Sequence, residues 1–239
     1  MFKDLKERVW EANLDLVRRG LVSLTFGNAS GADRARGVLA IKPSGLEYGA
    51  LKPSDIVIVD FRGRVVEGKL RPSSDTPTHI EIYRAFSGVG GVVHVHSPYA
   101  TIFAQARRPI PCLGTTHADY FKGPVPVTRL VSAREAGKDY EAATGRVIVG
   151  RFRRLDPSDT PGVLVAGHGP YAWGGTVEEA VRHALVLETV ARAAWGTLAL
   201  AGGRSRTLPA YLIRRHFGRK HGPDAYYGQA RTTSKETPS

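Results

Sequence analysis

The sequence predicts an α/β protein, a single three-layer α/β/α domain around a mixed sheet, and three observations predict it. Helix-like and strand-like segments alternate irregularly along the 239 residues. No GxGxxG follows a strand and no unit repeats, which argues against a dinucleotide fold and against a solenoid. The composition, 42% hydrophobic and 23% charged, is that of a folded chain with a packed core. At this length one well-buried domain is expected over residues 1–230. Residues 231–239, Arg-Thr-Thr-Ser-Lys-Glu-Thr-Pro-Ser, have nothing to bury and are expected to be a disordered tail.

The elements follow in order. Leu5, Val9, Leu16 and Val17 recur at roughly helical spacing before Gly20, so residues 2–19 read as a first helix. β-Branched runs between Gly and Pro punctuation predict strands at Val38 to Lys42, Ile56 to Asp60, Arg64 to Glu67 and Val92 to His96. Thr76 as N-cap with Pro77 at the first helical position opens a helix, and Ser97-Pro98 repeats the device before Tyr99 to Arg107. Further strands are predicted at Val125 to Thr128, Arg146 to Gly150 and Val163 to Ala166. Thr176-Val177-Glu178-Glu179 is a capping box that starts a long helix, and a last helix is expected near Pro209 to Arg219.

Several function classes are excluded early. The N-terminal stretch is charged throughout and lacks the apolar run of a signal peptide or a membrane span, so a cytoplasmic location without a membrane partner is expected. Cys112 is the only cysteine, so it forms no internal disulfide and no Cys-based zinc site. The net charge of +12 suits either a nucleic acid or small anions such as sugar phosphates. The basic residues are scattered without a nucleic-acid motif, so no nucleic-acid partner is expected. The one acid-free basic stretch, from Arg204 and Arg206 through Arg214, Arg215, Arg219 and Lys220, also suits a solvated helix face.

Any metal must therefore sit on His and carboxylates. In Val93-His94-Val95-His96 the two histidines lie two apart in a strand-like run, so both rings leave one face and can reach one ion. Such a pair alone also suits a solvated strand face. His168, flanked by Gly167 and Gly169 after another apolar run, supplies a third imidazole. Three imidazoles with an open position are usual for a catalytic divalent ion, and zinc suits nitrogen ligands, though other divalent metals fit. Asp75, just before a predicted helix, is a candidate to complete the shell as well as a capping residue.

A phosphate needs hydroxyls, a cation and backbone N–H groups in a nest or at a helix start. Asn28, the Lys42-Pro43-Ser44-Gly45 turn and the Ser73-Ser74 pair before a helix N-terminus offer these groups. Each is an ordinary turn by itself; their company with the histidines makes them candidate phosphate ligands.

Together the strings Leu24-Thr25-Phe26-Gly27-Asn28, Lys42-Pro43-Ser44-Gly45, Pro72-Ser73-Ser74-Asp75-Thr76-Pro77-Thr78-His79, His94-Val95-His96-Ser97, Thr115-Thr116-His117-Ala118-Asp119-Tyr120, Gly167-His168-Gly169-Pro170 and Lys220-His221-Gly222-Pro223-Asp224-Ala225-Tyr226-Tyr227-Gly228-Gln229 carry a resemblance. The chain resembles the class II aldolase and adducin head superfamily, and within it the L-ribulose-5-phosphate 4-epimerase family. The resemblance implies a largely antiparallel central sheet and a zinc ion on His94, His96 and His168, with Asp75 as ligand or close neighbour. It implies a substrate phosphate on Asn28, Lys42, Ser44, Gly45, Ser73 and Ser74, and Asp119 with Tyr227 as acid/base pair, His216 nearby and Arg219 adding positive charge. It further implies a cyclic homotetramer whose sites lie between subunits, Tyr227 and His216 coming from the neighbour. The implied reaction is retro-aldol cleavage of C3–C4, rotation of the aldehyde and re-addition, with Asp119 and Tyr227 on opposite sides of C4. Phe26 replaces a frequent Trp and Ala166 a frequent His. A sugar-phosphate aldolase of the L-fuculose-phosphate type is the alternative; those relatives usually carry Glu where this chain has Asp75.

Overall fold

The computed structural model describes residues 1–221 and 225–227. The predicted tail at 231–239, and Gly222, Pro223, Asp224, Gly228 and Gln229 of the last string, lie outside the described residues. The order of elements is α1 (Lys3–Arg18), β1 (Asn28–Asp33), β2 (Val38–Ile41), β3 (Val57–Asp60), β4 (Val65–Glu67), α2 (Thr76–Ala85) and β5 (Gly91–His94). These are followed by α3 (Pro98–Gln105), α4 (Thr115–Ala118), α5 (Ala133–Arg151), β6 (Gly162–Leu164), β7 (Pro170–Gly174), α6 (Val177–Leu200) and α7 (Ala210–Gly218).

The strands form one sheet in the order β4-β3-β2-β1-β5-β7-β6. Every neighbouring pair is antiparallel, in keeping with the largely antiparallel sheet that the resemblance implies. Among the described residues the parallel contribution is a single bridge, Val127 to Leu164, beside the sheet. Both faces are covered, and the alternation of side chains is visible in the core. Leu39 and Ile41 of β2, Val57 and Val59 of β3, Val92 of β5, and Tyr171 and Trp173 of β7 pack on one side with Ile80 and Tyr83 of α2 and Ile148 of α5. The intervening Val93 and Ala172 face α1 and α6 on the other side, while Ala40 and Ile58 meet Val9 and Phe2. His94 has the parity of Val92, so its ring belongs to the α2/α5 side.

Some expectations change. Arg146 to Gly150 is the last turn and a half of α5, not a strand. Val147 and Ile148 satisfy the hydrophobic pattern by facing the core from a helix, which a short β-branched run does equally well. Val125 to Thr128 makes only isolated bridges, Ile110 to Val125 and Val127 to Leu164. The N-cap of α2 is Asp75, one residue earlier than expected, and the Thr76 hydroxyl donates to Ser73 O at 2.6 Å. Thr176 does cap α6 by accepting from Glu179 N, but the Glu179 carboxylate reaches back to Gly175 N at 2.7 Å.

Candidate active site

β5 delivers the first ring. His94 lies opposite Asn28 of β1 and Tyr171 of β7, and its imidazole stacks on Tyr171 with centroids 4.1 Å apart and planes 12° from parallel. Its Nδ1 is 3.0 Å from Pro170 O, and a carbonyl only accepts, so Nδ1 carries a proton and Nε2 is the nitrogen turned to the other histidines. His96 follows on the same face with its Nε2 3.1 Å from His94 Nε2. His168 enters from the turn before β7, and the three donor atoms all lie within 4.8 Å of one another. Nitrogens at about 2.0–2.1 Å from a tetrahedral zinc ion are separated by roughly 3.3 Å, so this donor set fits a divalent ion. Burial lowers the pKa of His168 to about 4, helped by His94 and His96, and lowers that of His96 in the same way. Neutral rings keep their lone pairs available for a cation.

Two glycines make the convergence possible. A Cβ at Gly169 would come within 2.9 Å of Val95 O and 3.1 Å of His96 Cδ2, so only glycine lets the His168 turn close against the histidine strand. Gly27 adopts φ +79°, and a Cβ there would sit 2.8 Å from His94 O.

The phosphate candidates meet in the same cavity, of about 410 Å³, whose wall includes Asn28, Lys42, Ser44, Gly45, Ser73 and Ser74 together with Asp75 and the three histidines. The two turns are zipped to each other, Ser44 N donating to Arg71 O at 2.9 Å and Ser73 N to Lys42 O at 3.0 Å. Lys42 is buried, and its Nζ lies over the Tyr48 ring at 4.8 Å with only a long contact of 3.5 Å to Pro43 O. Desolvation lowers its pKa. A buried ammonium without a carboxylate costs several kcal/mol unless an anion joins it, and Ser44, Ser73 and Ser74 line the same cavity. The Asn28 amide donates to Asp75 Oδ2 at 2.7 Å and to Ser73 Oγ at 3.2 Å, while its buried Oδ1 has no partner among the described residues. Burial alone would raise the Asp75 pKa, but His94, His79 and the Asn28 amide outweigh it and hold the carboxyl ionised.

The remaining candidates form a second cluster in the same chain. Asp119, at the C-cap of α4, takes a bidentate pair from Arg219 at 2.8 and 2.6 Å, and His216 Nδ1 lies 3.1 Å from its Oδ1. Lys220 Nζ is 3.6 Å from Oδ2. Burial pushes the Asp119 pKa up, but Arg219, His216 and Lys220 together bring it below the ordinary carboxylate range. Tyr227 is 60% exposed, and its ring lies against the Arg219 guanidinium at 4.8 Å and the Lys220 ammonium at 4.4 Å. Asp119, His216, Arg219 and Tyr227 do not line the histidine cavity. Arg214 and Arg215, from the same basic stretch, are exposed.

Sequence reasoning missed Tyr140 and Glu141, which α5 brings to the cavity wall, and the support behind it. His79 is fully buried beneath Asp75, its Nδ1 2.7 Å from Ser30 Oγ, and burial drops its pKa to about 3. Neither group had a local signal, because α5 was read in part as a strand and His79 appeared only inside a longer string.

Fold and site together define a class. The chain belongs to the Class II Aldolase and Adducin N-terminal domain family, which it matches over residues 7–195. It is 51% identical over 225 residues to the L-ribulose-5-phosphate 4-epimerase UlaF of Salmonella paratyphi A, an alignment covering 94% of this chain and 98% of that protein. The same protein of Salmonella typhi matches equally. Among solved structures it resembles an L-fuculose 1-phosphate aldolase, with a TM-score of 0.76 and 28% identity over 90% of this chain and 95% of the other. An L-fuculose 1-phosphate aldolase from Glaciozyma antarctica PI12, with a TM-score of 0.73 and 20% identity over 93% and 84% of the two chains, shares the fold.

Proposed function

We propose that this chain is an L-ribulose-5-phosphate 4-epimerase that interconverts L-ribulose 5-phosphate and D-xylulose 5-phosphate by retro-aldol cleavage and re-addition. The relative of that name, 51% identical over nearly its whole length, supports the reaction. The observation that carries the reading is that the three histidines and the phosphate-type turns line one cavity of about 410 Å³, the size of a small sugar phosphate's site.

His94, His96 and His168 would hold the divalent ion, zinc by its donor set, with Asp75 as a further ligand or a neighbour that fixes the site's charge. When bound, the ion supplies electrophilic stabilisation of negative charge developing on substrate oxygens. Lys42, Ser44, Gly45, Ser73, Ser74 and Asn28 retain the phosphate, so the aldehyde half stays bound while its carbonyl turns. A base removes the proton of the C4 hydroxyl as C3–C4 breaks and its electron pair passes to the ketone half. On re-addition to the other face of the aldehyde, an acid returns a proton to the C4 oxygen. Asp119 and Tyr227 are the pair for these transfers, with His216 and Arg219 holding Asp119.

Because His216 and Arg219 bind Asp119 within one chain, we read the whole cluster as a unit that reaches the histidine cavity of a second copy. A homo-oligomer, a tetramer in our reading, would bring the two together. Among the described residues no helix is long and apolar enough to cross a membrane, and we take the cytoplasm as the site of action.

The test is incubation of the purified protein with L-ribulose 5-phosphate. D-xylulose 5-phosphate as main product supports the epimerase; free glycolaldehyde phosphate as main product replaces it with the aldolase reading, which the L-fuculose 1-phosphate aldolase likeness keeps second.

A further inference from the structure

We infer that Tyr140 is a positioning residue whose hydroxyl holds the outer nitrogen of His168 and so aims its inner nitrogen at the ion shared with His94 and His96. The inference rests on the metal-site reading above.

The three ligand rings are not held alike. His94 is fixed twice, by the Pro170 carbonyl of the adjacent strand and by the Tyr171 ring beneath it. His96 follows two residues on and inherits the direction of the same chain segment. His168 sits in a turn between two glycines, off the chain segment that carries His94 and His96. Among the described residues its one side-chain hydrogen bond is from Nδ1 to Tyr140 Oη, at 3.3 Å. An imidazole that ligates through Nε2 carries its proton on Nδ1, so the ring donates and Tyr140 Oη accepts.

The place of that hydroxyl is built rather than incidental. α5 breaks at Asp139, with φ −162° and ψ 92°, and restarts at Tyr140 with Asp139 Oδ1 accepting from Ala142 N at 3.0 Å. Thr78 of α2 donates to Glu141 O at 2.6 Å, and Thr144 donates to Tyr140 O at 2.9 Å. α2 and α5 approach closely because residue 145 is glycine, where a Cβ would strike the Glu81 side chain. The helix that begins next to Asp75 therefore also locates Tyr140. The proposed proton transfers give Tyr140 no other task.

The test compares Zn²⁺ affinity, by competition with a chromophoric chelator, and the visible spectrum of the Co²⁺ form for the unmodified protein, Tyr140→Phe, Tyr140→Leu and His168→Ala. Tyr140→Phe should bind about 10–100-fold more weakly and alter the Co²⁺ spectrum, the usual effect of losing a group that orients a ligand. Tyr140→Leu should be no worse than about threefold beyond Tyr140→Phe. Thermal unfolding of the metal-free proteins should be unchanged by Tyr140→Phe. Unaltered affinity and spectrum in Tyr140→Phe overturn the inference while leaving the metal site standing. Weak binding in Tyr140→Leu alone also overturns it, because ring packing would then be the cause. If the unmodified protein binds no ion that His168→Ala weakens, the metal-site reading fails and takes this inference with it.

Discussion

The histidine cavity and the Asp119 cluster differ in how they are built and in what each lacks. The cavity rests on the sheet: His94 is tied to β7, Asn28 and Asp75 are bonded to each other, and glycines at 27 and 169 let their segments close against the histidine strand. It has three converging imidazoles and a buried lysine with no carboxylate partner among the described residues, and the Tyr140 hydroxyl on its wall is engaged with His168. The Asp119 cluster rests on the short helix α4 and on α7, holds an ionised carboxylate among three basic groups, and offers an exposed phenol. In the function proposed above, the first region binds and the second moves protons. That proposal places chemistry at one substrate carbon where the two regions meet across copies of the chain.

The largest effect should come from removing a ligand ring. His94→Ala, His96→Ala and His168→Ala should each lose most bound metal and reduce turnover by about a thousandfold or more, as expected when electrostatic stabilisation of developing charge is lost. Metal analysis of the purified variants checks this; full metal in all three moves the site elsewhere. Next, Tyr227→Phe and Asp119→Asn should each lower turnover by roughly a hundredfold or more while keeping metal and phosphate affinity, because general acid/base catalysis contributes on that scale. Loss of metal in either variant would blur the division between the two regions. A smaller change is expected for Gly169→Ala. Its new methyl presses on Val95 O and His96, so metal affinity should fall by about tenfold with the Asp119 cluster untouched. Unchanged affinity would mean the turn has room that the structure does not show.

The smallest effect concerns pH. His117, beneath the Asp119 cluster, donates from Nε2 to Gly123 O at 2.8 Å, and burial lowers its pKa to about 4. An unfolded histidine titrates near 6.5, so between about pH 6.5 and 4 the unfolded chain holds a proton that the folded chain lacks. Stability therefore falls as pH drops through that window, by about 1.4 kcal/mol per pH unit for each such histidine. In urea titrations from pH 7 to 5, His117→Gln should flatten the decline by about one proton. An unaltered slope would mean that His117 is protonated in the folded state.

What the sequence disclosed and what it hid follow from how far each signal reaches along the chain. His94 and His96 were legible because strand alternation puts residues two apart on one face. The turns at 42–45 and 73–74 were legible because Ser, Gly and Lys punctuate strands locally; that they line one cavity was not. β1, Asn-Ala-Ser-Gly-Ala-Asp, was not, because it is a central strand made of small and polar residues. Gly31 leaves room for Val9 of α1, and Ser30 bonds His79, so its fitness depends on partners distant in sequence. Tyr140 was hidden for the same reason, since the break at Asp139 that aims it has no composition of its own. The Asp119 cluster was visible only as strings in a resemblance. That Asp119 binds His216 and Arg219 of its own chain required the fold.

The meeting of the two regions across copies is tested most directly by mixing inactive subunits and assaying epimerisation. Hybrids of His94→Ala with Tyr227→Phe, and of His94→Ala with Asp119→Asn, should each regain part of the activity, because some interfaces pair an intact histidine cavity with an intact cluster. Hybrids of Asp119→Asn with Tyr227→Phe should regain none, since both changes spoil the same half of every site. Recovery in that third mixture, or no recovery in verified hybrids of the first two, would contradict a cluster that acts as one unit on another copy's metal site.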